Sequence, residues 1–338
     1  MRRNTALDGL RGAAALGVVI IHLDTLVITH GLYLSLDIFF VLSGYLITSG
    51  LLKEHDGGGI SLTKFYRRRL VRIYPPLIFA LIIILPSVVI SGYRGYLRDC
   101  LLAITHSTNL YTYFVYPKDR LLLGHTWSLA VEEHYYLLWP LLCVVIGRRW
   151  GVRSRFMKAA IIAIAVVSCS TLIVQDLMSA PDPRLPGITV AYFHSEGRAF
   201  EFMLGSSLGI GSNSRRVLQH AERLAVCAAA GLLGVMLAAA YWPPHMRVSL
   251  AIPLAAVLTT VLIGSLEHSA SSIVGRILNL RMLRMLGRED VPSLVELGWR
   301  SEMNSMRRLR QFRGSRPTCL RERGGAGRRR AGAFACSP

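Results

Sequence analysis

The chain has 338 residues, 52% of them hydrophobic and 17% charged, with a mean hydropathy of +0.41. That balance excludes an ordinary soluble domain and implies several bilayer crossings, each needing about 20 apolar residues. The formal net charge of +19 does not call for a nucleic-acid partner, because the basic residues cluster in short loops beside apolar runs, as cytoplasmic loops do, and in a C-terminal tail.

Six cysteines, Cys100, Cys143, Cys169, Cys227, Cys319 and Cys336, form no CxxC pair and have no histidine at ligand spacing. Neither a metal site nor a disulfide framework is expected. Arg2 and Arg3 precede an apolar run in the manner of a signal peptide. Asp8, Arg11 and His22 interrupt that run, however, and no small-residue cleavage site follows, so a retained first helix is expected.

The first crossing is expected from about Leu10 to Thr29 and, after a turn near His30 and Gly31, the second from Leu32 to Leu52. The polar stretch 53–72 carries Gly57, Gly58 and Gly59 and the cluster Lys64, Arg67, Arg68, Arg69 and Arg72. By the positive-inside tendency it is cytoplasmic, as is the N-terminus. A third crossing is expected from Tyr74 to Ile90, with Pro75 and Pro76 in its first turn. The segment 96–116 is moderately apolar but holds Arg98, Asp99, His106 and Asn109, which favours an interfacial or re-entrant segment. Later crossings are expected at Trp127–Ile146, Ala159–Leu177, His194–Gly211, Leu224–Trp242 and Val248–Leu266. The expected fold is therefore an all-α, polytopic transmembrane bundle of about eight spans, without internal repeats.

Charged groups inside apolar helices cost several kcal/mol unless they face a bundle interior or a wet cavity, so they are the first candidates for chemistry. His22 follows Arg11 by eleven positions, which is three helical turns plus roughly 20°, so the two share one face about 16.5 Å apart. The structural alternative is an Arg11 that snorkels to the interface and a His22 that is a packing residue. Asp37 interrupts the second helix, where Ser43 and Gly44 would permit close helix approach. On a helix continuing through the segment, His125, Ser128 and Glu132 share one side, with Trp127 beside them and a carboxylate placed to act as base, acid or acceptor ligand. Glu133 and His134 are expected at the interface. Glu196, Arg198 and Glu201 open another apolar run, where a structural ion pair is an equal reading.

Four segments taken together resemble the acyltransferase 3 family. They are Leu7-Asp8-Gly9-Leu10-Arg11-Gly12 with His22, Asp37-Ile38-Phe39-Phe40-Val41-Leu42-Ser43-Gly44, Phe65-Tyr66-Arg67-Arg68-Arg69-Leu70-Val71-Arg72-Ile73-Tyr74-Pro75, and His125-Thr126-Trp127-Ser128-Leu129-Ala130-Val131-Glu132. Arg198 with Glu201-Phe202-Met203-Leu204-Gly205 resembles a later family element. The resemblance covers about Thr5 to Gly287. It implies a membrane-bound O-acyltransferase that moves an acyl group, commonly acetyl, from acyl-CoA as co-substrate to a hydroxyl of a glycan, exopolysaccharide or related acceptor, with no bound cofactor. It also implies a bacterial cytoplasmic membrane and contact with its lipids. His22 would be the base or acyl relay and Arg11 its partner, with Glu132 and Asp37 in the catalytic set. Arg68, Arg69 and Arg72 would meet the donor's phosphates, and His125, Trp127, Ser128, Arg198 and Glu201 the substrate.

After Met285-Leu286-Gly287-Arg288 the chain departs from the family pattern. Residues 289–338 are rich in Arg, Gly, Ala and Ser, lack lysine and apolar periodicity, and read as the product of a frameshift that removes the family's last helices. An incomplete acyltransferase domain over residues 1–288 and a basic, disordered tail are therefore expected. Two competing functions remain, a transporter or flippase built on an intramembrane proton relay and an inactive truncated family member.

Overall fold

The computed structural model describes residues 4–23, 27–115, 121–179, 188–211, 215–269 and 272–287. The described residues are helical nearly throughout and contain no strand. The helices are α1 (Thr5–Leu23), α2 (Ser35–Asp56), α3 (Leu62–Ser91), α4 (Tyr96–Ile104), α5 (Thr108–Val115), α6 (Trp127–Trp150), α7 (Arg155–Met178), α8 (Ser195–Ile210), α9 (Arg215–Ala239), α10 (Pro244–His268), α11 (Ile273–Leu278) and α12 (Arg281–Leu286). A 3-10 helix, Val27–Leu34, leads into α2, and one π-helical turn, Arg247–Ala251, lies within α10.

Among the described residues six segments are long and apolar enough to cross a bilayer: Thr29–Asp56, Leu62–Ser91, Gly124–Trp150, Arg155–Met178, His220–Ala239 and Pro244–His268. The chain is thus an integral membrane protein of the all-α bundle type. The other two expected spans correspond to α1 and α8, of 19 and 16 residues. α8 is shorter than the other six, and its Glu196, Arg198 and Glu201 dilute its hydropathy.

α2 and α8 form the centre of the bundle. They cross at two glycines, where a Cβ on Gly44 would come 2.1 Å from the Phe202 carbonyl oxygen and one on Gly205 would come 2.0 Å from that of Val41. Such backbone approach is what small residues allow between membrane helices, where no hydrophobic driving force holds helices together. The stacked rings of Phe40 and Phe202, 4.9 Å apart, and of Tyr135 and Phe202, 4.4 Å apart, fill the space beside the crossing. Leu137, Leu138, Val145, Ile162, Val166 and Val167 instead point outward from α6 and α7, the surface a bilayer would cover.

Three boundaries differ from expectation for physical reasons. α3 begins at Leu62, well before Pro75, because the Ser61 hydroxyl accepts from the Lys64 N–H at 3.4 Å and so caps a run of helix-forming Lys, Arg and Leu residues. Pro75 and Pro76 are therefore interior to the helix, a placement that membrane helices tolerate. α1 ends at Leu23, and the residues expected to complete its crossing lie partly in the Val27–Leu34 3-10 helix. α6 is entered through a 3-10 turn, Gly124–Thr126, held by the Thr126 hydroxyl, which donates to the Leu123 carbonyl at 2.7 Å.

Segment 96–116 folds as α4 and α5 over its described part, each too short to span a bilayer. Asp99 anchors it: its carboxylate accepts from the Leu122 N–H at 2.6 Å and the Tyr93 hydroxyl at 2.9 Å and pairs with Arg98 at 2.9 Å. Burial nevertheless raises the Asp99 carboxyl above its ordinary range, against the pull of these partners. At the far end of the fold, α11 and α12 lie against α1, where a Cβ on Gly287 would come 1.8 Å from the Asp8 carbonyl oxygen. α11 and α12 are therefore part of the packed bundle. Residues 289–338, with the expected tail, lie outside the described residues.

Candidate functional site

Two charged clusters occupy the bundle, and between them they hold most of the residues that the sequence singles out. The first is an ion triad. Arg198 donates from Nη2 to Asp37 Oδ1 at 2.7 Å, and its Nε lies 3.1 Å from Glu201 Oε1. All three side chains are 0% exposed. The guanidinium also sits over the rings of Phe40, at 5.2 Å, and Tyr192, at 4.9 Å, which compensates it with two aromatic faces as well as two carboxylates. Arg198 and Glu201 meet because they are three positions apart on one helix. Asp37 joins them because the glycine crossing brings α2 onto α8. Trp127 packs at the edge of the same group, 6.4 Å from Phe40 and 4.8 Å from Tyr192 between ring centroids.

The second cluster is built from four helices. Glu132 of α6 accepts from the Ser43 hydroxyl of α2 at 3.3 Å and from the Tyr136 hydroxyl at 2.9 Å, and the Tyr136 and Ser43 hydroxyl oxygens lie 3.0 Å apart. Arg69 of α3 lies with its guanidinium 4.2 Å from the Tyr136 ring centroid. Arg11 of α1 and Arg69 both lie in electrostatic reach of Glu132, and Arg72 in reach of Arg11, Arg69 and Glu132. The Tyr66 hydroxyl, donating to the Leu137 carbonyl at 2.8 Å, ties α3 to α6 at this level. The result is a half-buried carboxylate facing three arginines from two other helices. Such a site attracts polyanionic groups by its guanidiniums and offers a carboxylate to a hydroxyl.

The structure thus gathers Arg11, Arg69, Arg72 and Glu132 at one place and Asp37, Arg198 and Glu201 at another. Arg68 belongs to neither; it is exposed and pairs with Glu54 at 3.2 Å. His125 and Ser128 are half-buried at the entrance to α6, with His125 in the preceding 3-10 turn rather than in phase with Glu132 on a continuous α-helix. The backbone of His22 belongs to α1, but its side chain lies outside the described residues. Tyr136 and the hydrogen-bonding role of Ser43 were missed in the sequence. The spacing of Tyr136, four residues after Glu132, is the signal that would have found it.

The charged ends of the helices collect on one side. Arg153 pairs with Asp56 through two bonds of 2.7 and 2.8 Å and Arg68 with Glu54, which ties the ends of α2, α3 and α6–α7 together. The Asp56 carboxylate holds the Arg153 guanidinium above its already high ordinary value.

Fold and site define a polytopic helical membrane protein that gathers arginines and carboxylates inside its bundle. The chain belongs to the Acyl_transf_3 family, described as an acyltransferase domain, whose profile matches residues 4–288. It is similar to the Staphylococcus aureus (strain MSSA476) protein named "Putative O-acetyltransferase SAS0844", with 36% identity over 183 residues, 49% of this chain and 30% of that protein. It is also similar to the O-acetyltransferase OatA of Staphylococcus aureus (strain NCTC 8325 / PS 47), with 32% identity over 216 residues, 60% of this chain and 34% of that protein. The chain spans about a third of the length of these curated relatives. No solved structure matches it.

Proposed function

We propose that the chain is a membrane-bound O-acyltransferase, moving an acyl group, most simply acetyl, from acyl-CoA to a hydroxyl of a carbohydrate acceptor. The observation that carries this reading is the convergence of Arg11, Arg69, Arg72 and Glu132. These residues come from three separate family motifs, and they meet although neither hydropathy nor local packing requires it. Family membership and the printed names of the O-acetyltransferase relatives agree with it.

In this reading the arginines hold the anionic donor and Glu132 orients the acceptor hydroxyl or receives its proton. In the net reaction an ester bond to the acceptor oxygen forms, the carbon–sulfur bond of the thioester breaks, and the thiolate leaves and takes up the acceptor's proton. His22, which the resemblance places as base or relay, is on the same helix as Arg11. Asp37, Arg198 and Glu201 frame the site by fixing α2 against α8. By the positive-inside tendency the end bearing Arg68, Arg148, Arg149 and Arg153 faces the cytoplasm, as does the N-terminus, in a bacterial cytoplasmic membrane.

The test is release of free thiol from acetyl-CoA by membranes containing the full chain, with and without a hydroxyl acceptor such as a soluble glycan. Acceptor-stimulated thiol release that falls at least tenfold in His22→Ala supports the reading. Movement of a glycan across vesicles without consumption of acyl-CoA would overturn it in favour of a transporter.

A further inference from the structure

A third polar group lies apart from both clusters. Ser195, the first residue of α8, places its hydroxyl oxygen 2.8 Å from His134 Nδ1, and Asn109 Nδ2 donates to the same oxygen at 2.7 Å. These three residues come from α8, α6 and α5. Asn109 Nδ2 can only donate, so the serine's own proton is left for the imidazole; in the neutral tautomer protonated on Nε2, Nδ1 carries the lone pair that accepts it.

A hydroxyl that donates to a neutral imidazole is the arrangement of an activated nucleophile. Ser195 and His134 are half-buried, hence reachable, whereas Asn109 is buried and its Oδ1 has no hydrogen-bond partner among the described residues. Ser195 opens α8, so the first-turn N–H groups, which have no intrahelical acceptor, lie at the same end of that helix. Along α6, His134 lies only two residues from Glu132, about 3 Å in rise but on the opposite side of the helix. The serine group therefore faces a different compartment of the bundle from the arginine cluster.

We propose that Ser195 is an acyl-accepting nucleophile with His134 as its base, a relay that takes the acyl group from the acyl thioester and hands it to the acceptor hydroxyl. The inference rests on the acyltransferase reading. In the first half, Ser195 Oγ forms an ester bond with the acyl carbon while the carbon–sulfur bond breaks. The serine proton passes to His134 and on to the leaving thiolate. In the second half, the acceptor hydroxyl gives its proton to His134 and attacks the ester carbonyl. The acyl–Ser195 bond then breaks, and His134 returns the proton to the serine oxygen. Asn109 is a positioning residue that holds the hydroxyl toward the imidazole.

The experiment has two arms on the full chain in native membranes. A fluorophosphonate probe, located by peptide mass spectrometry, reads the nucleophilicity of Ser195 directly. Acetyl-CoA without acceptor, quenched and digested, reads an acetyl ester on the Ser195 peptide. The wild-type chain is expected to take up the probe at Ser195 and to carry a hydroxylamine-labile acetyl there. His134→Gln and Asn109→Ala should each slow probe labelling at least tenfold, Ser195→Ala should lose acetyl transfer, and Ser195→Cys should recover part of it. A wild-type chain that transfers acetyl while Ser195 stays unlabelled, or a Ser195→Ala chain of equal size-exclusion profile that transfers normally, overturns the relay alone. Probe labelling at Ser195 in a chain that consumes no acyl-CoA supports the nucleophile and overturns the donor.

Discussion

Replacing Arg198 by methionine is the sharpest perturbation of the bundle. The guanidinium makes a 2.7 Å bond to Asp37 and lies 3.1 Å from Glu201, with none of the three side chains exposed. Removing it leaves two carboxylates side by side without a counter-charge, and breaking a buried pair in this way costs about 3–5 kcal/mol. Replacing all three by apolar residues of similar size, as Asp37→Leu, Arg198→Met and Glu201→Leu together, removes the desolvated charges as well and is expected to be neutral or stabilising by about 1–4 kcal/mol. Arg198→Lys keeps the charge but not the planar fork or the stacking on Phe40 and Tyr192, and should fall between the single and triple variants. Reversible unfolding in mixed detergent–SDS micelles, followed by helical circular dichroism, measures all three. A single variant costing less than about 1 kcal/mol, or a triple variant no more stable than the single, would refute the view that the triad is a closed, mutually compensated unit.

Gly205→Ala should lower the thermal midpoint in detergent, because its Cβ would come 2.0 Å from the Val41 carbonyl oxygen and force α2 and α8 apart; overpacking of this kind costs about 1–3 kcal/mol, and an unchanged midpoint would contradict the crossing. Burial, with His134 alongside, holds the His106 imidazole below its ordinary value. Its contribution to stability is thus present above the unfolded value near 6.5 and is lost as pH falls toward the folded value. Between pH 7.5 and 5, α4 and α5 should lose hydrogen-exchange protection, after correction for the intrinsic rate. His106→Asn, which suits the left-handed φ of 52° at this position, should flatten that dependence. Arg69→Lys should not restore the acetyl-CoA binding lost in Arg69→Gln, as read by isothermal titration, because its contact is a guanidinium face on Tyr136.

Much of the fold was legible in the sequence because membrane helices announce themselves by continuous apolar runs. The six longest came through with boundaries shifted by a few residues at most ends, the exceptions being α3, where a serine cap outranked a proline pair, and α9, which begins at Arg215, nine residues before the expected Leu224. The polar helices were harder: α8 carries its charges toward a partner that only the fold supplies, so hydropathy undercounts it. Charged residues inside apolar runs flagged Asp37, Arg198, Glu201, Arg11 and Glu132 individually. Their sorting into two groups was not legible, because Asp37 and Arg198 are 161 positions apart and nothing local links them. Ser195 and His134 were invisible for the same reason. Each is unremarkable on its own helix, and His134 read as an interfacial residue, whereas the hydrogen bond between them depends on how α5, α6 and α8 meet.

The central claim, that the Arg11–Arg69–Arg72–Glu132 cluster is where an acyl donor is used, is tested most directly by transfer of label from radiolabelled acetyl-CoA into membrane glycans. The comparison is between the wild-type chain and Glu132→Gln and Arg69→Gln variants of equal abundance and size-exclusion profile. Label that appears with the wild type and falls by at least about two orders of magnitude in Glu132→Gln, the range that loss of a positioned acid or base produces, with a weaker donor dependence in Arg69→Gln, is the predicted result. Undiminished transfer in both variants would contradict the account and move the chemistry elsewhere in the bundle.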